Sequence, residues 1–159
     1  MSVSINQFDG SSNKEVNRIG FLLLDNFTML AFSSAVEPMR MANQLTGKEL
    51  YDWYVISEDG DYVEASDGIT IQPDCSMADA PQLDTLIVVG GVNITRSFTR
   101  KQVTWLQSLA RKHVGLGGVC TGAYVLAEAG LLDGLKATTW AGGEKELKED
   151  YPAINVQFD

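Results

Sequence analysis

Histidine is nearly absent from this chain of 159 residues: His113 is the only one, and cysteine is limited to Cys75 and Cys120. No Cys-x-x-Cys pair occurs, and no two histidines exist to share a metal, so the sequence argues against a zinc site. Two cysteines in a chain this long do not make a disulfide framework, and their scarcity fits a reducing cytoplasm. Long apolar runs are also missing. A run such as Ile19 to Leu24 is far shorter than the roughly 20 residues that span a bilayer. Met1 to Asn17 is polar and has no apolar stretch of the kind a secretory signal needs. The expectation is a soluble, cytoplasmic protein that does not engage a membrane.

Positive charge is scarce as well. Twelve Lys and Arg face twenty-one Asp and Glu, for a net charge of −9, and the pI is near 4.5. A body this acidic repels a phosphate backbone. Arg96, Arg100, Lys101, Arg111 and Lys112 are spread over one helical region among polar residues and read as a solvated helix face. What remains is ordinary for a globular domain: 45% hydrophobic and 21% charged residues. A length of 159 residues suits one domain with a core large enough to need no staples.

The pattern alternates strands and helices. Residues 1–17, rich in Ser and Asn, read as a flexible arm. Consecutive apolar residues from Arg18 to Leu24 predict a strand buried on both faces. Phe32, Ala35, Val36, Met39 and Ala42 recur at helical spacing within Met29 to Leu45. Pro38 lies inside that stretch, so either the helix kinks there or it begins there. Further strands are predicted over Trp53–Ser57, Asp84–Val89, Val114–Val119, Ala137–Trp140 and Ile154–Phe158. Tyr62–Ala65 and Ile69–Gln72 read as a hairpin closed by Ser66-Asp67-Gly68. Helices are predicted over Thr99–His113, with Val103, Leu106, Leu109 and Ala110 inward, over Gly122–Gly130, and over Gly143–Asp150. Buried strands interleaved with helices imply a mainly parallel sheet covered on both sides. No internal repeat or linker divides the chain.

Gly118-Val119-Cys120-Thr121-Gly122 is the most informative run. A predicted strand precedes it and a helix follows, the context a nucleophile elbow requires. Such a turn stands its central side chain over the carboxyl edge of the sheet, where open α/β folds bind ligands. Gly90-Gly91 ends another strand and reaches the same edge, with bare N–H groups suited to an oxyanion. The competing reading is a small buried cysteine where nothing larger fits.

These features resemble the ThiJ/PfpI superfamily, which is similar to the class I glutamine amidotransferases. More narrowly, they resemble the amidotransferase-like N-terminal domain of AraC-family transcription regulators. The runs that carry the resemblance are Ile19 to Leu24, Phe32 to Asn43, Val88-Val89-Gly90-Gly91, Gly118 to Ala123, and Leu131-Leu132-Asp133-Gly134 followed by Ala137-Thr138-Thr139. The resemblance covers Arg18 to about Asp159. It implies a flavodoxin-like or Rossmann-like three-layer sandwich with an elbow cysteine.

Two departures shape the functional expectation. Enzymes of the superfamily place an acidic residue several positions before the helix glutamate, and that position here is Ala31. They usually carry a histidine after the Ala-Thr-Thr strand, and here Trp140 follows Thr139. His113 would lie roughly 20 Å from Cys120 across a strand rising about 3.3 Å per residue, too far to serve as its base. It reads as a surface residue at a helix end. Cys120 is then a vestigial nucleophile, and the chain is expected not to be an enzyme.

The resemblance implies instead a ligand-sensing domain that binds a small nitrogenous metabolite, such as a betaine-like amine or an amino acid derivative. The expected contacts are Glu37, Gly91, Val92, Asn93, Cys120, Thr121 and Trp140, with no cofactor and no metal. Glu37 either approaches the cysteine or is a helix-start carboxylate beside Pro38. Trp140 either walls the pocket, where it can stack on a cation, or fills the core. The resemblance also implies a homodimer, and DNA contact only through a C-terminal helix-turn-helix domain absent from this chain. Residues 18–159 would then be the sensor domain, truncated at its C-terminal end. The alternative is a cysteine-dependent hydrolase, hydratase or stress protein of the same superfamily. A third reading is an interaction module with a vestigial pocket.

Overall fold

The computed structural model describes residues 16–158. Its central sheet holds five parallel strands in the order β5-β2-β1-β6-β7: β1 Asn17–Leu23, β2 Tyr51–Ser57, β5 Cys75–Ser76, β6 Thr85–Val89 and β7 Gly115–Val119. β1 is central, and Phe21, Leu22 and Leu23 are almost wholly inaccessible, as a strand covered on both faces requires. Gly20 interrupts this apolar run for a steric reason: a Cβ there would lie 2.6 Å from Leu83 and 2.7 Å from Leu86.

The sheet separates two apolar layers. On one side, α2 (Arg100–Arg111), α3 (Gly122–Glu128) and α4 (Glu144–Asp150) pack on a core that includes Leu22, Leu86, Val88, Leu106, Val125 and Leu147. On the other, α1 (Met29–Thr46) and a hairpin of β3 (Val63–Glu64) and β4 (Thr70–Ile71) cover Phe21, Leu23, Phe27 and Val89. The result is the three-layer α/β sandwich expected from the sequence.

Local chemistry sets the helix ends. At the start of α2, the Thr99 side chain accepts from the Gln102 N–H, and the Gln102 side chain accepts from the Thr99 N–H. This capping box explains why Gln102 is buried beside Leu106 and Leu109. α1 ends on Gly47 at φ 63°, a left-handed cap. Asn43 ties its last turn to β2, accepting from the N–H groups of Leu50 and Tyr51 and donating to the Tyr51 carbonyl.

Several expectations need correction. α1 runs continuously through Pro38, so the helix does not start there. Residues 1–15 of the arm expected over residues 1–17 lie outside the described residues, and Asn17 already belongs to β1. The strands expected over Ala137–Trp140 and Ile154–Phe158 shrink to β8 (Lys136–Ala137) and β9 (Asn155–Val156), which pair with each other apart from the main sheet. The edge strand β5 was not foreseen; two residues are too few to show an alternation. A 3-10 turn, Ile94–Arg96, follows the β6 loop and was not foreseen either. No helix among the described residues is long and apolar enough to cross a membrane.

Candidate functional site

The parallel strands deliver their carboxyl ends to one edge, and three of those ends converge. β1 leads through Asn26, at φ 58°, to buried Phe27 and then Thr28. β6 leads to Gly90 and Gly91, and β7 runs into Cys120. Cys120 has φ 57°, a left-handed conformation uncommon for a residue with a side chain. This is the elbow geometry that the Gly-x-Cys-x-Gly spacing predicts.

Close backbone approach explains the glycines. A Cβ on Gly118 would sit 2.8 Å from Gly122 C, and one on Gly122 would sit 2.3 Å from the Val88 carbonyl oxygen. On Gly90 it would meet Thr121 Oγ1 at 2.5 Å, and on Gly91 the Asn26 carbonyl oxygen at 1.9 Å. The elbow is thus pressed against the end of β6 with no room for side chains between them. Buried Thr121 stitches the contact, donating from Oγ1 to the Gly91 carbonyl at 2.8 Å. Gly91 faces Phe27 in an antiparallel bridge flanked by Thr28 N–H to Gly90 O and Val92 N–H to Asn26 O. That is the non-hydrogen-bonded kind of pair, so the Gly91 N–H points away from Phe27, to the side of its own carbonyl and the elbow.

The half-buried Cys120 sulfur lies 3.6 Å from Thr28 Oγ1. Thr28 is the N-cap of α1, yet its side chain makes no capping bond. Its hydroxyl faces the sulfur instead. The sequence reading missed Thr28 because a Thr before an apolar helix reads as a cap. The Cys120 carbonyl accepts from Thr139 Oγ1 and from the Trp140 N–H, both at 3.2 Å. Trp140 is therefore held at the elbow by its backbone. Its side chain is 61% exposed, which removes the core-filling alternative.

The other expected residues are placed unevenly. Val92 and Asn93 are exposed on the loop that follows Gly91, and Ser97 Oγ donates to both of their carbonyls, at 3.1 and 3.0 Å. Glu37 lies midway along α1, not at a helix start, and is exposed. Arg40 holds its carboxylate with Nε at 2.8 Å and a terminal nitrogen at 2.7 Å, and this hydrogen bond draws the carboxyl below its usual range. The structure brings Thr28, not Glu37, to the sulfur. Ala31 is half-buried in the first turn of α1. His113 is exposed, with φ 60°, and precedes β7, at the end of the strand opposite Cys120. No cluster of three His, Cys, Asp or Glu placed to hold a metal occurs among the described residues. A cleft of about 820 Å³ lined by Met77, Leu83, Trp105 and Leu109 lies away from this edge.

Comparison with known proteins agrees with this geometry. The model of the DJ-1/PfpI family matches residues 17–156. The HTH-type transcriptional regulator GbdR of Pseudomonas aeruginosa is 51% identical over 142 residues, which is 89% of this chain and 39% of that protein. The HTH-type transcriptional regulator CdhR of the same species is 44% identical over 136 residues, 86% of this chain and 40% of that one. A crystal structure of an AraC family transcriptional regulator from Pseudomonas putida superposes with a TM-score of 0.79 at 28% identity, covering 90% of this chain and 77% of that chain. This chain spans about two fifths of the length of the first two relatives.

Proposed function

The chain belongs to the DJ-1/PfpI family, and from that premise we propose that residues 17–156 form the effector-sensing part of a transcription regulator rather than an enzyme. The observation that carries this reading is 51% identity, over 89% of the chain, with a protein named as an HTH-type transcriptional regulator. The site supports it. Cys120 keeps the elbow conformation, while the chain's one histidine sits at the opposite end of β7. Nucleophilic cysteine chemistry needs a base and an orienting group beside the thiol, and the neighbour supplied here is a hydroxyl.

The effector on this reading is a small nitrogenous metabolite, a betaine-like amine or an amino acid derivative, seated over Cys120. Gly91 and Thr121 form the floor, Val92 and Asn93 the rim, and the Trp140 indole covers the cationic end. Glu37, tied to Arg40 on the exposed side of α1, reaches the ligand only by exchanging that partner. DNA contact belongs to a helix-turn-helix part of a longer protein, and the effector acts by binding one arrangement of a homodimer more tightly than another.

The test is thermal unfolding of the chain with glycine betaine, carnitine, dimethylglycine and free amino acids. Saturation at a hundred times the dissociation constant adds about 2.7 kcal/mol of stability. A selective shift that Trp140→Ala abolishes is expected. Turnover of a substrate that disappears in Cys120→Ser would overturn the reading and assign the chain to the cysteine-dependent hydrolases or hydratases.

A further inference from the structure

In a chain with an excess of acid, α2 carries Arg100, Lys101 and Arg111 and no acidic residue, and Lys112 is its C-cap. In sequence these cations read as a solvated face, but the structure divides them. Lys101 pairs with Glu58 at 3.5 Å. Lys112 and the adjoining His113 are exposed and enter no ion pair among the described residues. Both border the cleft of about 820 Å³ beside α2. The core is left partly open there, between α2 and the segment that leads from β5 to β6. Leu83 and Leu109 belong to the core, half-buried Met77 and Trp105 pack against it, and all four line the cleft. A cavity of this size, lined by apolar and aromatic side chains with a few polar groups, suits a small organic ligand. The acid that lines it, Asp84, accepts from the Arg18 N–H at 2.9 Å.

The backbone at His113 is an independent observation. α2 closes in a Schellman motif, with the His113 N–H donating to the Ala110 carbonyl at 3.0 Å and the Val114 N–H to the Leu109 carbonyl at 3.1 Å. That motif sets its penultimate residue in the left-handed region, where glycine is ordinary, as Gly47 is after α1. His113 occupies the position at φ 60°. The other non-glycine residues with positive φ among the described residues, Asn26, Asn93 and Cys120, follow β1, β6 and β7 at the carboxyl edge. His113 stands at the opposite edge, before β7. A side chain kept where the backbone favours none points to a use for it.

We propose that this cleft is a second ligand site, separate from the elbow, for an aromatic carboxylate. The apolar body lies against Trp105, Leu83 and Leu109, and the carboxylate accepts from the Lys112 ammonium and a His113 ring N–H. Charge selects the anion. With a net charge of −9 most of the surface repels one, and two adjacent donors outside any ion pair offset that repulsion at this one rim. A cationic ligand would face Lys112 instead. The dipole of α2 accounts for basic residues at its end, but not for the open apolar cleft beside them. The proposal does not rest on what binds over Cys120.

Calorimetric titration of the 159-residue chain with naphthoate, at neutral pH and low ionic strength, tests it. The expected result is one site with a dissociation constant of about 0.1 mM, and binding of naphthylmethylammonium weaker by about tenfold or more. Lys112→Gln and His113→Gly are each expected to weaken naphthoate about tenfold. Lys136→Gln removes one cation from an exposed position on β8 and is expected to leave the affinity unchanged. His113→Gly separates a ligand role from a structural one, because glycine relieves the left-handed backbone and the melting temperature is expected to rise as affinity falls. No binding of naphthoate, equal binding of the ammonium, unchanged affinity in either cleft variant, or an equal loss in Lys136→Gln would each overturn the proposal. If His113→Gly lowers the melting temperature, Lys112→Gln, at an exposed position, decides.

Discussion

At the residue scale, much of the candidate site is defined by what cannot be present. Gly90, Gly118 and Gly122 carry no Cβ because the elbow and the end of β6 occupy that space, and Gly91 carries none because the Asn26–Phe27 backbone does. Gly117, one strand position from Gly118, contrasts with them: a Cβ there meets nothing within 4 Å. Gly91→Ala is therefore expected to cost about 3 kcal/mol or more, since the obstruction is the Asn26 and Phe27 backbone, which cannot step aside. Gly117→Ala is expected to stabilise by about 0.5 kcal/mol, by removing chain entropy from the unfolded state. Urea midpoints of the two variants, at unchanged denaturant slope, check both. The Gly-x-Cys-x-Gly spacing pointed to the elbow directly. Thr28 was not legible, because a cap residue and a partner for a sulfur 92 positions away look the same in sequence. Trp140 was legible as a neighbour of the elbow but not as exposed, since a tryptophan at a strand end fits either setting.

At the element scale, long strands and helices followed from apolar periodicity, while short elements depended on contacts far away in sequence. β1, β6 and β7 lie within a residue of their expected starts, because strands covered on both faces are continuously apolar or small. β8 and β9 were overextended, because the apolar and β-branched residues around them pack on the α3–α4 side without joining the main sheet. That side has a pH-sensitive seam. Tyr124 and Tyr151 meet edge-on with ring centroids 6.3 Å apart. Burial, then nearby Glu146, pushes the Tyr124 hydroxyl up to about 12. Burial, then the hydrogen bond to Glu128, raises Tyr151 as well. Both tyrosines hold their protons in the folded state at a pH where the unfolded chain releases them. Stability from this pair is complete below about pH 10 and falls as pH rises toward about 12. Unfolding free energy measured between pH 9 and pH 12 is expected to decline less steeply in Tyr151→Phe. An equal decline in the variant would remove Tyr151 from the explanation.

At the scale of the whole molecule, the excess of acid acts on stability more than on shape. A net charge of −9 in a chain with pI near 4.5 makes the compact state repel itself. Raising ionic strength from about 0.01 M to about 0.15 M shortens the screening length from about 30 Å to about 8 Å. Tm is expected to rise over that range, read by calorimetry. A falling Tm would mean that attractive pairs, such as Glu37–Arg40 and Glu58–Lys101, outweigh the repulsion.

The sequence by itself determined the α/β class, the elbow at Cys120 and the lack of a histidine near it. Each depends on residue type and on spacing along one strand or one turn, which local sterics make readable. Tertiary structure alone decided which side chain meets the sulfur, that Glu37 is spent on Arg40, that Trp140 faces solvent, and that Lys112 and His113 border the cleft beside Trp105. These are outcomes of how separate elements pack. Packing is set by the summed burial of residues distant in sequence, which no local pattern records.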